Sequence, residues 1–176
     1  MAAPTRQTYA NLPRFSLKVC AVLVNHPANV GGLCRTVEAF RLESLVIAED
    51  AIARHSAFRG LAVSSHHWQP LELCPVASLT DWLTAQQTAG YCTIALDVSD
   101  RAIPIPHFTF PRRSVLLLGQ ELTGIPASLQ ACCQEIVTIP QFGLVRSLNV
   151  QTAGAIAIYE YIRQHSPAPS KNNSEN

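Results

Sequence analysis

The 176-residue chain is short of charge: Asp, Glu, Lys and Arg together make up 14% of it, and the formal net charge is +1. So small a balance excludes a broadly basic nucleic-acid-binding surface, and a 48% hydrophobic content excludes disorder. Its glycines form neither a GxGxxG nor a GxxxxGK[ST] loop, so the two commonest phosphate-cradling signatures are missing. None of its six cysteines forms a CxxC pair, which argues against a zinc ribbon or a dithiol redox motif. No apolar run approaches the ~20 residues that span a bilayer. The opening MAAPTRQTYANLP also lacks the apolar core of a secretory signal. These absences predict a cytoplasmic protein with reduced, structural thiols, no metal and no membrane partner. Few charges are available to cover a solitary domain, so a buried subunit interface is expected.

What bases there are lean one way. Eleven are arginine, and only Lys18 and Lys171 are lysine. A guanidinium fork matches phosphate and stacks on bases, which a lysine ammonium does not.

The apolar runs organise the rest. Lys18–Val24 (KVCAVLV), Ser44–Ala48, Tyr91–Asp97, Ser114–Leu118 and Glu135–Ile139 read as strands buried on both faces, with a shorter one at Leu71–Leu73. Helices are predicted from Asn29 to about Arg41, within Ile52–Val63, over Ser78–Thr88, in a short piece from Pro126, and over Leu148–Arg163. Alternating strands and helices predict a single-domain α/β fold with a mostly parallel sheet. Residues 1–17 form a polar leader, 18–165 the domain, and 166–176 a disordered tail. In the last helix the run AGAIAIY leaves almost no polar face, so both sides need cover, and a second subunit supplies it most simply.

Three polar clusters interrupt this apolar chain. Asn25–Arg35 (NHPANVGGLCR) lies just beyond the first strand, where open α/β sheets bind ligands. Asn29 is placed to cap the following helix, with Arg35 projecting from its second turn; taken alone, Arg35 reads equally as a surface partner of Glu38. Gly119–Gly124 (GQELTG) follows an apolar strand. It reads either as an ordinary capped turn or as a loop whose Glu121 holds a cation or a neighbouring segment. Ile139–Val150 (IPQFGLVRSLNV) enters the last helix with Ser147 as its expected N-cap and Asn149 in its first turn. The His66–His67 pair shows no metal-ligand spacing.

Together and in this order, the clusters resemble the three motifs of the TrmH-like branch of SPOUT RNA 2′-O-ribose methyltransferases. Asn29 and Arg35 match its Asn-x6-Arg pattern. Leu118, Gly119, Glu121 and Gly124 match its Leu-Gly-x-Glu-x-x-Gly motif. Ile139, Pro140, Gly143, Ser147, Leu148, Asn149 and Val150 match its third motif. The match runs from about Lys18 to Gln164, and from Trp68 onward it is most similar to the tRNA guanosine-18 type.

The resemblance implies a C-terminal trefoil knot, an exception to the unknotted rule. It implies a homodimer with composite active sites, and S-adenosyl-L-methionine held by Gly119, Ile139 and Leu148, with Leu96 lining the site. Arg35 would assist transfer to a ribose 2′-hydroxyl of RNA, Asn29 would orient Arg35 or the ribose, and Glu121, Ser147 and Asn149 would shape the site. tRNA is the expected partner; ribosomal RNA, or a non-catalytic RNA-binding role, is the alternative. The arginines expected to meet RNA are Arg41, Arg54, Arg59, Arg112, Arg113 and Arg146.

Overall fold

The computed structural model describes Tyr9, residues 12–145 and residues 147–166. Most of the predicted leader, Arg146, and all of the predicted tail beyond Ser166 lie outside the described residues.

Seven strands make one sheet in the order β3-β2-β1-β6-β4-β7-β5. They are β1 (Phe15–Cys20), β2 (Leu42–Ile47), β3 (Leu71–Leu73), β4 (Cys92–Leu96), β5 (Ile103–Pro104), β6 (Ser114–Leu118) and β7 (Glu135–Thr138). Every pairing between them is parallel. The reason is legible in β6: all of SVLLL is buried, which requires cover on both faces.

Helices α1 (Pro27–Ala39), α2 (Asp50–Arg54), α3 (Ser56–Ala62) and α6 (Val150–His165) accompany the larger apolar cluster, which contains Leu17, Leu33, Phe58, Leu116 and Tyr161. Helix α4 (Leu79–Thr88) and the short α5 (Ala127–Gln130) close the second cluster, around Cys20, Leu83 and Leu117. All six cysteines are free thiols, and Cys20, Cys34 and Cys74 are buried. Burial, followed by the neighbouring Cys132 and Cys92, pushes the Cys133 thiol up to about 12, so it packs as a neutral hydrophobe.

Several boundaries differ from the sequence expectation. Strand β1 begins at Phe15, inside the expected leader, and stops at Cys20; Ala21–Val24 remains buried but forms the turn beyond it. Helix α1 starts at Pro27, with His26 as N-cap, its ring accepting from the Ala28 N–H. Proline's fixed φ favours the first helical position, so Asn29 falls inside the first turn rather than at the cap. Helix α6 is capped by Asn149, which accepts from the Gln151 and Thr152 N–H groups, and not by Ser147. The stretch within Ile52–Val63 splits at His55, whose side chain caps α3. The proline-bearing loop before β6 contains β5, which pairs along β7 at the sheet edge, where a proline costs no ladder bond.

Helix α6 is not buried all round. Val150, Gly154, Ala157, Ile158 and Tyr161 are buried, while Thr152, Ile156 and Tyr159 are exposed on the opposite side.

The α1–α3 contact has no slack. A Cβ on Gly31 would lie 2.3 Å from the Phe58 carbonyl oxygen, whereas one on Gly60 would meet nothing within 4 Å. Gly31→Ala should therefore destabilise the fold by about 1–3 kcal/mol, because backbone must move. Gly60→Ala, on exposed helix, should stabilise it by about 0.5–1 kcal/mol. Chemical denaturation of the two variants measures both signs.

Candidate functional site

Parallel strands deliver their carboxyl ends to one edge of the sheet, and the three polar clusters converge there. The Asn29 carboxamide donates to Glu121 Oε1 at 2.9 Å, and its own oxygen accepts from Asn149 Nδ2 at 3.1 Å. Asn149 in turn accepts from the first amides of α6. A single polar relay thus ties α1, the loop after β6 and the start of α6 across up to 120 residues of sequence. Burial disfavours the Glu121 carboxylate. Bonds from the Asn29 side chain and from the backbone of Glu121, His26 and Asn25 outweigh it, holding its pKa below the ordinary carboxylate value.

The loop after β6 is folded back on itself. Gln120 and Gly124 exchange two backbone hydrogen bonds, each 3.0 Å long. Gly124 has φ +66°, and a Cβ there would lie 2.8 Å from Asp97 Oδ2, so glycine is required twice over. Asp97 fastens this turn by accepting from Ile125 N–H at 2.7 Å and from the Gln130 side chain at 3.0 Å. Sequence reasoning missed Asp97, since it reads as the end of a strand. Its one signal was a lone acid closing the apolar run YCTIAL.

Beside the relay lies a cavity of about 360 Å³, between the ends of β4, β6 and β7. Leu96, Gly119, Ile139 and Leu148, the four residues expected at a cofactor, all line it, as do Glu121 and Ser147. Asn29 and Asn149 do not line it. Arg35 does not line it. It is exposed on α1, in an adjoining open groove of about 440 Å³ shared with Gly32, Thr36, Phe40, Leu61 and Gln151. Among the described residues Arg35 forms no ion pair with Glu38 or any other carboxylate, so the reading of Arg35 as a partner of Glu38 has no contact behind it.

The remaining arginines are dispersed. Arg54 pairs with Asp50 at 2.5 Å, and Arg41 donates to the Pro13 carbonyl. Arg112 and Arg113 precede β6, at the end of the sheet away from the cavity, with Arg113 stacked 4.4 Å from the Tyr91 ring centroid. Arg59 is exposed on α3, next to α1. His66 packs edge-on to Phe58 and 4.0 Å from the His67 ring. Burial, then His67 and Arg59, lowers its pKa. Among the described residues no group of three or more His, Cys, Asp or Glu side chains could hold a metal, and no helix is long and apolar enough to cross a membrane.

Residues 16–159 match the SpoU rRNA Methylase family profile, and the chain belongs to that family. It is 39% identical over 148 residues to the tRNA (guanosine(18)-2′-O)-methyltransferase of Mus musculus, covering 84% of this chain and 9% of that protein. The enzyme of the same name from Saccharomyces cerevisiae is 33% identical over 86% of this chain and 11% of its own length. That from Escherichia coli K12 is 30% identical over 86% of this chain and 65% of its own. The chain therefore spans only part of each of these relatives. Among solved structures, the A. aeolicus TrmH/SpoU tRNA modifying enzyme superposes with a TM-score of 0.79 at 24% identity, covering 90% of this chain and 80% of that one. The SpoU methyltransferase AviRb from Streptomyces viridochromogenes, in complex with AdoMet, gives 0.74 at 24% identity, covering 93% and 66%. These two likenesses show the fold.

The relay carries a pH signature. Because the folded pKa of Glu121 is depressed, its ionised form contributes stability that is complete above the unfolded value and is lost as pH falls through the lower folded value. Glu121→Gln should thus be less stable than the wild type at neutral pH, and the gap should close as pH falls below the ordinary carboxylate range. Paired denaturation curves from pH 7 to 3 test this; a gap that widens in acid contradicts the relay.

Proposed function

We propose that the chain transfers a methyl group from S-adenosyl-L-methionine to a ribose 2′-hydroxyl of RNA, with guanosine-18 of tRNA the leading target. The observation that carries this reading is the cavity itself. Leu96, Gly119, Ile139 and Leu148 line it together, and the Glu121–Asn29–Asn149 relay joins its rim to the helix that bears Arg35. The names of the mouse, yeast and E. coli relatives supply the target.

The residues present fit the cofactor. Cavities for small-molecule cofactors hold about 300–1,000 Å³ and are mostly apolar, with a few placed polar groups. Here Leu96, Ile139 and Leu148 offer apolar walls, and Thr138 and Ser147 offer hydroxyls. Bound there, the cofactor supplies an activated methyl group. Everything else falls to the chain's own residues.

Arg35 sits in the open groove where RNA can enter. A guanidinium is a donor only, so Arg35 acts by stabilising the negative charge that develops on the 2′-oxygen while the hydroxyl proton passes to an adjacent RNA phosphate oxygen or to water. Glu121 is ionised and engaged by Asn29, so its role is to hold α1 in place. Asn29 and Asn149 orient α1 and α6 so that Arg35 and the cavity keep a constant relation. Ser147, at the cavity rim, faces the substrate. Arg59, exposed on the neighbouring α3, is a further base available to a phosphate; Arg112 and Arg113 reach RNA only where it wraps round the sheet.

The reading includes a C-terminal trefoil knot. In its favour, the segment after β7 and the 119–124 loop border the same cavity before the chain enters α6. It also includes a homodimer. The face bearing Ile156 and Tyr159, with Phe40 6.4 Å from the Tyr159 ring, is apolar and uncovered in a single chain.

Purified protein incubated with tritiated cofactor and unmodified tRNA should place label on the 2′-oxygen of guanosine-18. Label on a base, or in ribosomal RNA alone, overturns the reaction or the target respectively. Arg35→Ala should keep cofactor affinity by calorimetry and lose at least about a hundredfold in turnover; near-normal turnover removes Arg35 from the chemistry. Sedimentation at low micromolar concentration should give twice the 19.2 kDa chain mass, and a monomer there contradicts the shared interface.

A further inference from the structure

The groove beside Arg35 has a second polar wall that none of the three motifs contains. Gln151 is the second residue of α6, and the Asn149 cap that receives its backbone N–H sets its position. Its side chain lies directly on Gly32: a Cβ at Gly32 would come within 2.4 Å of the Gln151 Cδ, 2.7 Å of its Oε1 and 2.8 Å of its Nε2. Gly32 and Arg35 are three residues apart on α1 and share a face, so the carboxamide rests one turn from the guanidinium, and both line the groove. Yet among the described residues that carboxamide forms no hydrogen bond. A donor and acceptor resting on Gly32 without a partner among the described residues, beside an arginine with no carboxylate partner, offer a polar surface to a ligand. A guanidinium next to an amide suits the phosphate and sugar oxygens of a nucleic-acid backbone.

We propose that Gln151 is an RNA-contacting residue, its carboxamide hydrogen-bonding the sugar-phosphate backbone next to the ribose that Arg35 serves, and that Gly32 is the space that lets it lie there. The proposal rests on the reading of this chain as an RNA methyltransferase. It names a contact for binding rather than for the chemical step.

The test measures affinity of the full chain for an unmodified tRNA transcript, by fluorescence anisotropy with S-adenosylhomocysteine present, so that turnover is not needed. Gln151→Met keeps the side-chain length over Gly32 and removes the amide. It should bind about fivefold more weakly, the loss of one hydrogen bond. Gln151→Glu should bind more weakly still, since it sets a carboxylate against phosphate. Gly32→Ala pushes the flexible Gln151 head aside while raising helix propensity. Its melting temperature should be unchanged or higher while RNA affinity falls as in Gln151→Met. Wild-type binding lost to all three variants, with cofactor affinity intact, supports the contact. Affinity of Gln151→Met within twofold of wild type overturns it, as does a wild type that binds no tRNA. A shift in dimer dissociation with RNA affinity unchanged overturns it too, and makes the groove a subunit contact. If the variants lose affinity but wild type transfers no methyl group, the RNA contact stands and the methyltransferase reading falls.

Discussion

The site depends on a chain of three side chains. Glu121 accepts from Asn29, Asn29 accepts from Asn149, and Asn149 accepts from the amides that open α6. Each carboxamide has one orientation that satisfies both neighbours, and the ionised end at Glu121 sets the direction for the rest. Loss of Asn29 leaves the part-buried Glu121 carboxylate, and loss of Glu121 the part-buried Asn29 amide, without that partner, which costs more than the lost bond, whereas Asn149 is exposed. The relay also explains why Asn149, rather than Ser147, caps α6. Its oxygen takes the helix amides while its nitrogen reaches α1, a division of labour that one hydroxyl cannot perform over the same span.

Close backbone packing does the complementary work. Gly31 admits the Phe58 carbonyl, and Gly154 admits Leu33 and Leu118, so α1, α3 and α6 approach one another and the sheet more closely than side chains would allow. Gly119 and Gly124 pack against each other beneath Asp97, which keeps the loop after β6 narrow enough to leave a cavity beside it. Polar relay and glycine contacts together turn an open sheet edge into a walled pocket with a groove alongside. In the proposed chemistry the pocket holds the methyl donor and the groove admits RNA.

Comparison of the chain with its fold shows where local reading succeeds. KVCAVLV, SLVIA, YCTIALD and SVLLL all mark buried strands, because a strand covered on both faces must be apolar throughout. Their ends were harder to place. Ala21–Val24 is as apolar as β1 and equally buried, yet it turns, because burial of a turn over the sheet edge produces the same composition as a strand. Asn29 was misplaced at the cap because Asn is a common cap; Pro27, two residues earlier, was the stronger signal. The helix AGAIAIY reads as needing cover on both sides; within one chain Gly154 and Ala157 are buried while Ile156 and Tyr159 are exposed, on the side proposed for a second subunit.

The sequence by itself determined the class of fold and the three polar clusters, since periodicity and turn chemistry are local properties; the residues expected at the cavity followed from the resemblance of those clusters to a family's motifs. Only the tertiary structure decided what those residues touch. Glu121 and Asn29 are 92 residues apart, and Asn29 and Asn149 are 120 apart; no pattern along the chain states that they share hydrogen bonds. Asp97 and Gln151 were invisible for the same reason. One is defined by the Gly124 turn it fastens and the other by the Gly32 surface it rests on, and both contacts exist only after distant segments have packed.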